Sequence, residues 1–133
     1  MNPNYAQVAL RAGHRCEYCH APEAVFNFPF VVEHVVPVAR RGSAEEANLA
    51  LACRSCNLYK ATHLDGRDPE SDTLVRLFHP REDSWEDHFQ ISRESGEIVG
   101  RIPRGRATVS RLEMNSPSQV AARKQWMRLG LFP

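Results

Sequence analysis

Two pairs of cysteines carry the most specific chemistry in the sequence: Cys16-Glu17-Tyr18-Cys19 and Cys53-Arg54-Ser55-Cys56. Each is a C-x-x-C knuckle. Together they offer four thiolates, the soft tetrahedral set that zinc takes in a closed structural site. A disulfide framework would need an oxidising compartment, and the start "MNPNYAQVALRAGHRC" lacks the basic-then-apolar pattern of an export signal. A thioredoxin-like redox site needs one such pair inside a βαβ pattern, and neither pair lies in one. Thirty-three residues separate Cys19 from Cys53. A plain zinc ribbon allows only ~15–20, so something folds between the knuckles and the metal staples its two ends.

Inside that insert, an apolar run "AVFNFPFVV" ends on Glu33-His34-Val35-Val36-Pro37. An acid beside a histidine at the end of a strand is an unusual pair. Taken alone, it reads as a core or surface histidine with an exposed neighbour. Asn48, Asn57 and Lys60 follow at fixed distances, with Asn57 directly after the last cysteine.

The elements that must position these residues can be sketched from periodicity and turn residues. Residues 3–12 have Tyr5, Val8 and Ala9 on one helical face, with Gly13 as a stop. After the first knuckle, Ala21-Pro22-Glu23 forms a turn into a strand expected over 24–33. Pro37 ends that strand, and "ARRGSAEE" is a polar loop with Gly42 at a turn. Ser43-Ala44-Glu45-Glu46 has the form of a capping box, which would start a short helical turn. "NLALAC" is a second extended piece, and "RSCNLYKATH" a helix that starts at the second knuckle. Strand, loop, strand, helix makes a ββα unit with zinc at its base.

With these pieces in order, "CEYCHAP…VVEHVVPVARRG…NLALACRSCNLYKA" resembles the HNH endonuclease family in its four-cysteine, zinc-stapled form. The resemblance covers residues 16–61. It implies an α+β fold: a ββα-metal finger with a structural zinc site, an N-terminal helix, and a C-terminal strand and helix extension packed on it. The nuclease domain would span residues 1–64 and the extension residues 65–133. Where the family often has Asp-His, this chain has Glu33-His34, and Asn57 makes it an H-N-N variant.

The resemblance also implies a division of labour. Glu33 and Asn57 would hold a catalytic Mg²⁺ or Mn²⁺, a hard ion that prefers oxygen ligands and keeps several waters. Side chains of neighbours on an extended backbone diverge, so Glu33 can face the ion while His34 addresses a water. A neutral imidazole near its ordinary pKa of about 6.5 suits the general base of that water. Asn48 would hold the loop and orient His34. Lys60, three residues after Asn57, could meet a phosphate, as could Arg40 and Arg41; a solvated surface role fits all three equally well. His14 and His20 flank a cysteine site that four thiolates already complete. His63 could be at most an extra ligand, and His79 and His88 read as structural or surface residues.

Net charge is near zero but unevenly spread. Residues 1–60 carry 6 Lys/Arg and 5 Asp/Glu, residues 61–100 carry 4 and 10, and residues 101–133 carry 7 and 1. A basic end suggests DNA, with Arg101, Arg104 and Arg106 as sequence-independent phosphate contacts, or else an Arg-rich solvated helix face. Between them, "DGRDPESD" reads as an acidic linker, "TLVRLFHP", "WEDHFQI" and "GEIVGR" as strands, and helices are expected near Thr108 and from Ser116-Pro117. No apolar stretch approaches the ~18 residues of a membrane span. The expected protein is a cytoplasmic, metal-dependent DNA endonuclease, monomer or homodimer, nicking one strand per site. A zinc-dependent nucleic-acid-binding module without catalysis, or a zinc-based protein-interaction domain, are the alternatives.

Overall fold

The computed structural model describes residues 2–133. Helix α1 (Tyr5–Arg11) buries Val8 and Ala9, the face its periodicity marks, and Gly13 takes a left-handed φ of +64° just beyond its end. The first knuckle follows and closes on itself through Cys16 N–H to Ala21 O and an isolated bridge between Arg15 and Pro22.

Strands β1 (Val31–His34) and β2 (Leu49–Ala52) pair antiparallel, with Glu33 opposite Ala50 and His34 opposite Leu49. The strand expected over 24–33 is therefore only its last part. Residues Glu23–Val25 form a 3-10 turn instead. Pro29 has no N–H to give a ladder, and β2 is only four residues long, so longer pairing has no partner. Glu23 fixes the irregular stretch. Its carboxylate accepts from Tyr5 Oη and Phe30 N, and lies 2.7 Å from His14 Nδ1. β2 is buried at every position, which explains why its apolar residues run on without alternating. Its second edge is closed by Glu17, whose N–H donates to Leu51 O and whose Oε2 accepts from Leu51 N, both at 2.8 Å.

The capping box does not form. Ser43 Oγ accepts from Glu45 N, and the helical turn begins at Glu46 (Glu46–Asn48, 3-10). Helix α2 (Arg54–Lys60) starts at the second knuckle as expected, with Cys53 at its N-cap accepting from Cys56 N.

The rest of the chain adds two hairpins and three helices. β3 (Asp65–Arg67) pairs with β4 (Leu74–Arg76); α3 (Trp85–His88) leads into β5 (Phe89–Ile91), which pairs with β6 (Ile98–Gly100); α4 (Pro103–Arg111) and α5 (Pro117–Arg128) close the fold. "DGRDPESD" is thus a hairpin arm and its turn rather than a linker: Asp68 is fully buried and its carboxylate organises the turn through Glu70 N and Ser71 Oγ. "WEDHFQI" is strand only in its second half, because Trp85–His88 winds one helical turn with Ser84 at its N-cap. "TLVRLFHP" is strand at Leu74–Arg76 alone. Helix α4 begins at Pro103, earlier than Thr108, and α5 begins at Pro117 after an N-cap Ser116. One apolar cluster runs from Val8, Tyr18 and Leu51 to Phe78, Phe89, Ile98 and Met114, so the extension packs on the finger as one core. The architecture is α+β, as expected. Among the described residues no helix is long and apolar enough to cross a membrane.

Candidate active site and zinc centre

The four cysteine sulfurs all lie within 4.8 Å of one another and all four residues are buried. Each knuckle turns a backbone N–H onto its own first sulfur, Cys19 N to Cys16 Sγ at 3.5 Å and Cys56 N to Cys53 Sγ at 3.4 Å. Such bonds favour thiolates. Four thiols this close cannot all ionise without a cation: contact with the other sulfurs, Cys16 first, pushes Cys19 and Cys56 well above the usual thiol range. A Zn²⁺ supplies the missing charge, and the donor set, geometry and N–H bonds all fit it.

Above this centre, Glu33 is 6% exposed and points inward from β1. Tyr18 Oη donates to its Oε2 at 2.6 Å. Lys60 Nζ lies 2.6 Å from its Oε1 and donates to Val35 O at 2.8 Å. That buried ammonium stands against Oε1 as Tyr18 stands against Oε2, so each carboxylate oxygen meets a protein group. Burial pushes the Glu33 carboxyl up, and Lys60 and Tyr18 offset part of the rise. Burial, then the Glu33 charge, hold Tyr18 far above the ordinary phenol range, so it remains a donor. Lys60 is only 2% exposed, so it is neither the solvated lysine nor the free phosphate contact that the sequence suggested.

His34 is half-buried, next to a Glu33 that the strand turns the other way. Asn48 holds the loop: its Oδ1 accepts from Val36 N, and Nδ2 donates to Val36 O and Ser43 O. Both amide hydrogens are spent there, so any orienting of His34 runs through the backbone, where Val35 N donates to Asn48 O. Gly42 belongs to this device, since a Cβ there would lie 1.6 Å from Val36 O. Asn57 is half-buried on α2, one turn before Lys60, and lines an open groove of about 530 Å³ with Val31, Arg54, Leu58 and Tyr59.

The arginines divide. Arg40 and Arg41 are exposed; Arg40 Nε donates to Thr62 O and Arg41 has a left-handed φ of +68°. Arg101 donates to Glu86 O, Arg104 pairs with Asp83 at 3.0 Å, and Arg106 grips Asp68 with two bonds of 2.9 and 3.0 Å. Arg123 is 1% exposed and donates to Gly96 O and Met114 O. Two of the seven basic residues of 101–133, Arg104 and Arg106, therefore pair with carboxylates of the acidic segment before them, a third use of charge beside DNA contact and a solvated face. His14 and His20 stand apart from the sulfurs' work: His14 pairs with Glu23, and His20 stacks on Trp85 with centroids 4.1 Å apart. His63 lines a cavity of about 310 Å³ beside Lys60, and His79 lines it too. His88 hydrogen-bonds Ser84 O.

Residues 16–62 match the model of the family described as HNH endonuclease. That stretch is similar to the HNH family, and its sulfur cluster suits the four-cysteine type. An HNH domain is nuclease-type, and nucleic acid is its class of substrate. Searches of the curated proteins and of the solved structures found no match.

Tyr18, Glu17 and Glu23 take part without being among the residues that the sequence singles out. An aromatic residue inside a metal knuckle was a visible signal for Tyr18, since an exposed knuckle has no need of a large ring. Nothing in the sequence marked Glu23.

Proposed function

We propose that the chain is a metal-dependent HNH endonuclease that hydrolyses phosphodiester bonds of DNA, nicking one strand per active site. The observation that carries this reading is the anchored carboxylate of Glu33 beside the half-exposed ring of His34. A structural knuckle needs neither residue type there. Glu33 offers the carboxylate that a hard cation would take in place of Lys60 at Oε1, and Asn57, one turn before Lys60 on α2, would complete the protein's share of the ligands. Bound Mg²⁺ or Mn²⁺ supplies Lewis acidity for the phosphoryl oxygen and the leaving oxygen. His34 takes the proton from the attacking water. Asn48 keeps the loop after His34 in place, and the exposed Arg40 and Arg41 hold neighbouring phosphates. Zinc in the thiolate site keeps both knuckles under the hairpin. The unpaired cysteines suit a reducing, cytoplasmic setting.

Lys60 favours a second reading, a zinc-dependent DNA-binding module, because its ammonium already neutralises Glu33. Supercoiled plasmid separates the two. The zinc-loaded protein should give open circles in Mg²⁺ or Mn²⁺ and none in EDTA. Binding without open circles in any metal would establish the module and end the nuclease reading.

A further inference from the structure

We propose that Tyr18 is a positioning residue for the carboxylate of Glu33, and that the C-terminal extension acts on the site by holding Tyr18. This rests on the reading of Glu33 as an ion ligand and adds what sets its geometry. Tyr18 sits between Cys16 and Cys19, so the zinc knuckle fixes its backbone on both sides. Its side chain is fully buried and its hydroxyl donates to Glu33 Oε2 at 2.6 Å. That bond uses one carboxylate oxygen, and the other, Oε1, faces Lys60 Nζ at 2.6 Å. The carboxylate is thereby turned, with Oε2 held by Tyr18 and Oε1 toward Lys60, the group that a bound cation would have to displace.

The extension reaches Tyr18 from two directions. Trp85 Nε1 donates to Tyr18 O at 2.8 Å, and the Phe78 ring meets the tyrosine ring edge-on at 6.4 Å. Trp85 is itself stacked on His20 of the same knuckle. Residues 78 and 85 thus lock the knuckle residue that aims Glu33, and this gives the extension a part in the chemistry without placing it in the cleft. Hydrogen-bond partners behind a ligand usually set its orientation and basicity.

Tyr18→Phe keeps the ring and removes only the hydroxyl. Mn²⁺ binding to zinc-loaded protein, read by the electron paramagnetic resonance of free Mn²⁺, is the readout, with the Mg²⁺ dependence of nicking beside it. Zinc content and the circular dichroism of Y18F should match wild type. Its Mn²⁺ affinity should fall roughly 10-fold or more, the usual loss behind a ligand, and half-maximal nicking should need correspondingly more Mg²⁺. Trp85→Phe, which loses the bond to Tyr18 O, should show a smaller loss in the same direction. Unchanged Mn²⁺ affinity in Y18F, with wild type binding and nicking, overturns the positioning role and leaves the nuclease reading standing. Unchanged affinity in W85F overturns the extension's part. If Glu33→Gln binds Mn²⁺ as wild type does, or wild type binds none, Glu33 is no ligand and both proposals fall.

Discussion

Glu33 and Lys60 are both nearly shut off from water, so the worth of each depends on the other. Lys60→Met would leave a buried carboxylate with Tyr18 as its remaining partner. Breaking a buried pair this way typically costs about 3–5 kcal/mol. Chemical denaturation of K60M should show a loss of that order, and the Glu33→Gln, Lys60→Met double variant should recover most of it. A K60M protein as stable as wild type would mean the pair is not closed in solution. Two other carboxylates give the fold its response to acid. Burial pushes Glu23 up, but bonds from Tyr5, Phe30 N and His14 outweigh this and hold it below its ordinary 4.5. Two bonds from Arg106 hold Asp68 well below its ordinary 3.8. The unfolded chain therefore binds protons before the folded one does. The stability these groups contribute is complete above about pH 4.5 and is lost as the pH falls through their folded values. Melting temperatures between pH 7 and 3 should fall most steeply below 4.5, and Asp68→Asn should flatten that slope.

At the scale of elements, the zinc knuckles, hairpin and α2 are one device. The hairpin has two strands of four residues, too little to hold Glu33 and His34 in place alone. Stripping the metal with a strong chelator should release about one Zn²⁺ per chain and abolish cooperative melting, and Cys53→Ser should do the same without a chelator. Retained cooperative melting would show that the apolar core suffices. These elements were legible because metal chemistry fixes residue types at fixed spacings: Cys16 to Cys19, Cys53 to Cys56, and Asn57 directly after them. The strand at 24–33 was misjudged in length because an apolar run does not reveal how long its partner is. The turn at Trp85–His88 was missed although Trp85 and Phe89 lie four apart, a helical spacing, because only Phe89-Gln90-Ile91 alternates as a strand does and that pattern was extended back to Trp85. The closed pairing of Lys60 with Glu33 joins residues twenty-seven apart and has no local signature.

For the whole molecule, the uneven charge along the chain has an internal use. Acidic residues of 61–100 meet basic residues of 101–133 at Asp68–Arg106 and Asp83–Arg104. The sequence shows such blocks but not their pairing, which depends on α4 lying against β3. Arg106→Glu should therefore lower the melting temperature, and its effect on DNA should come through folding. Arg40 and Arg41 are the exposed candidates. Changing either to Glu should weaken binding of any duplex, and each lost phosphate contact should reduce the salt slope of log Kd by about 1. Unchanged slopes would move the DNA track elsewhere. The central claim is that His34 activates the water beside a fixed Glu33, and the most direct measurement is the rate of plasmid nicking by His34→Ala against wild type at equal zinc content. Loss of a general base predicts a rate in saturating Mg²⁺ roughly 100- to 10,000-fold below wild type, with DNA affinity retained. Equal rates would contradict it.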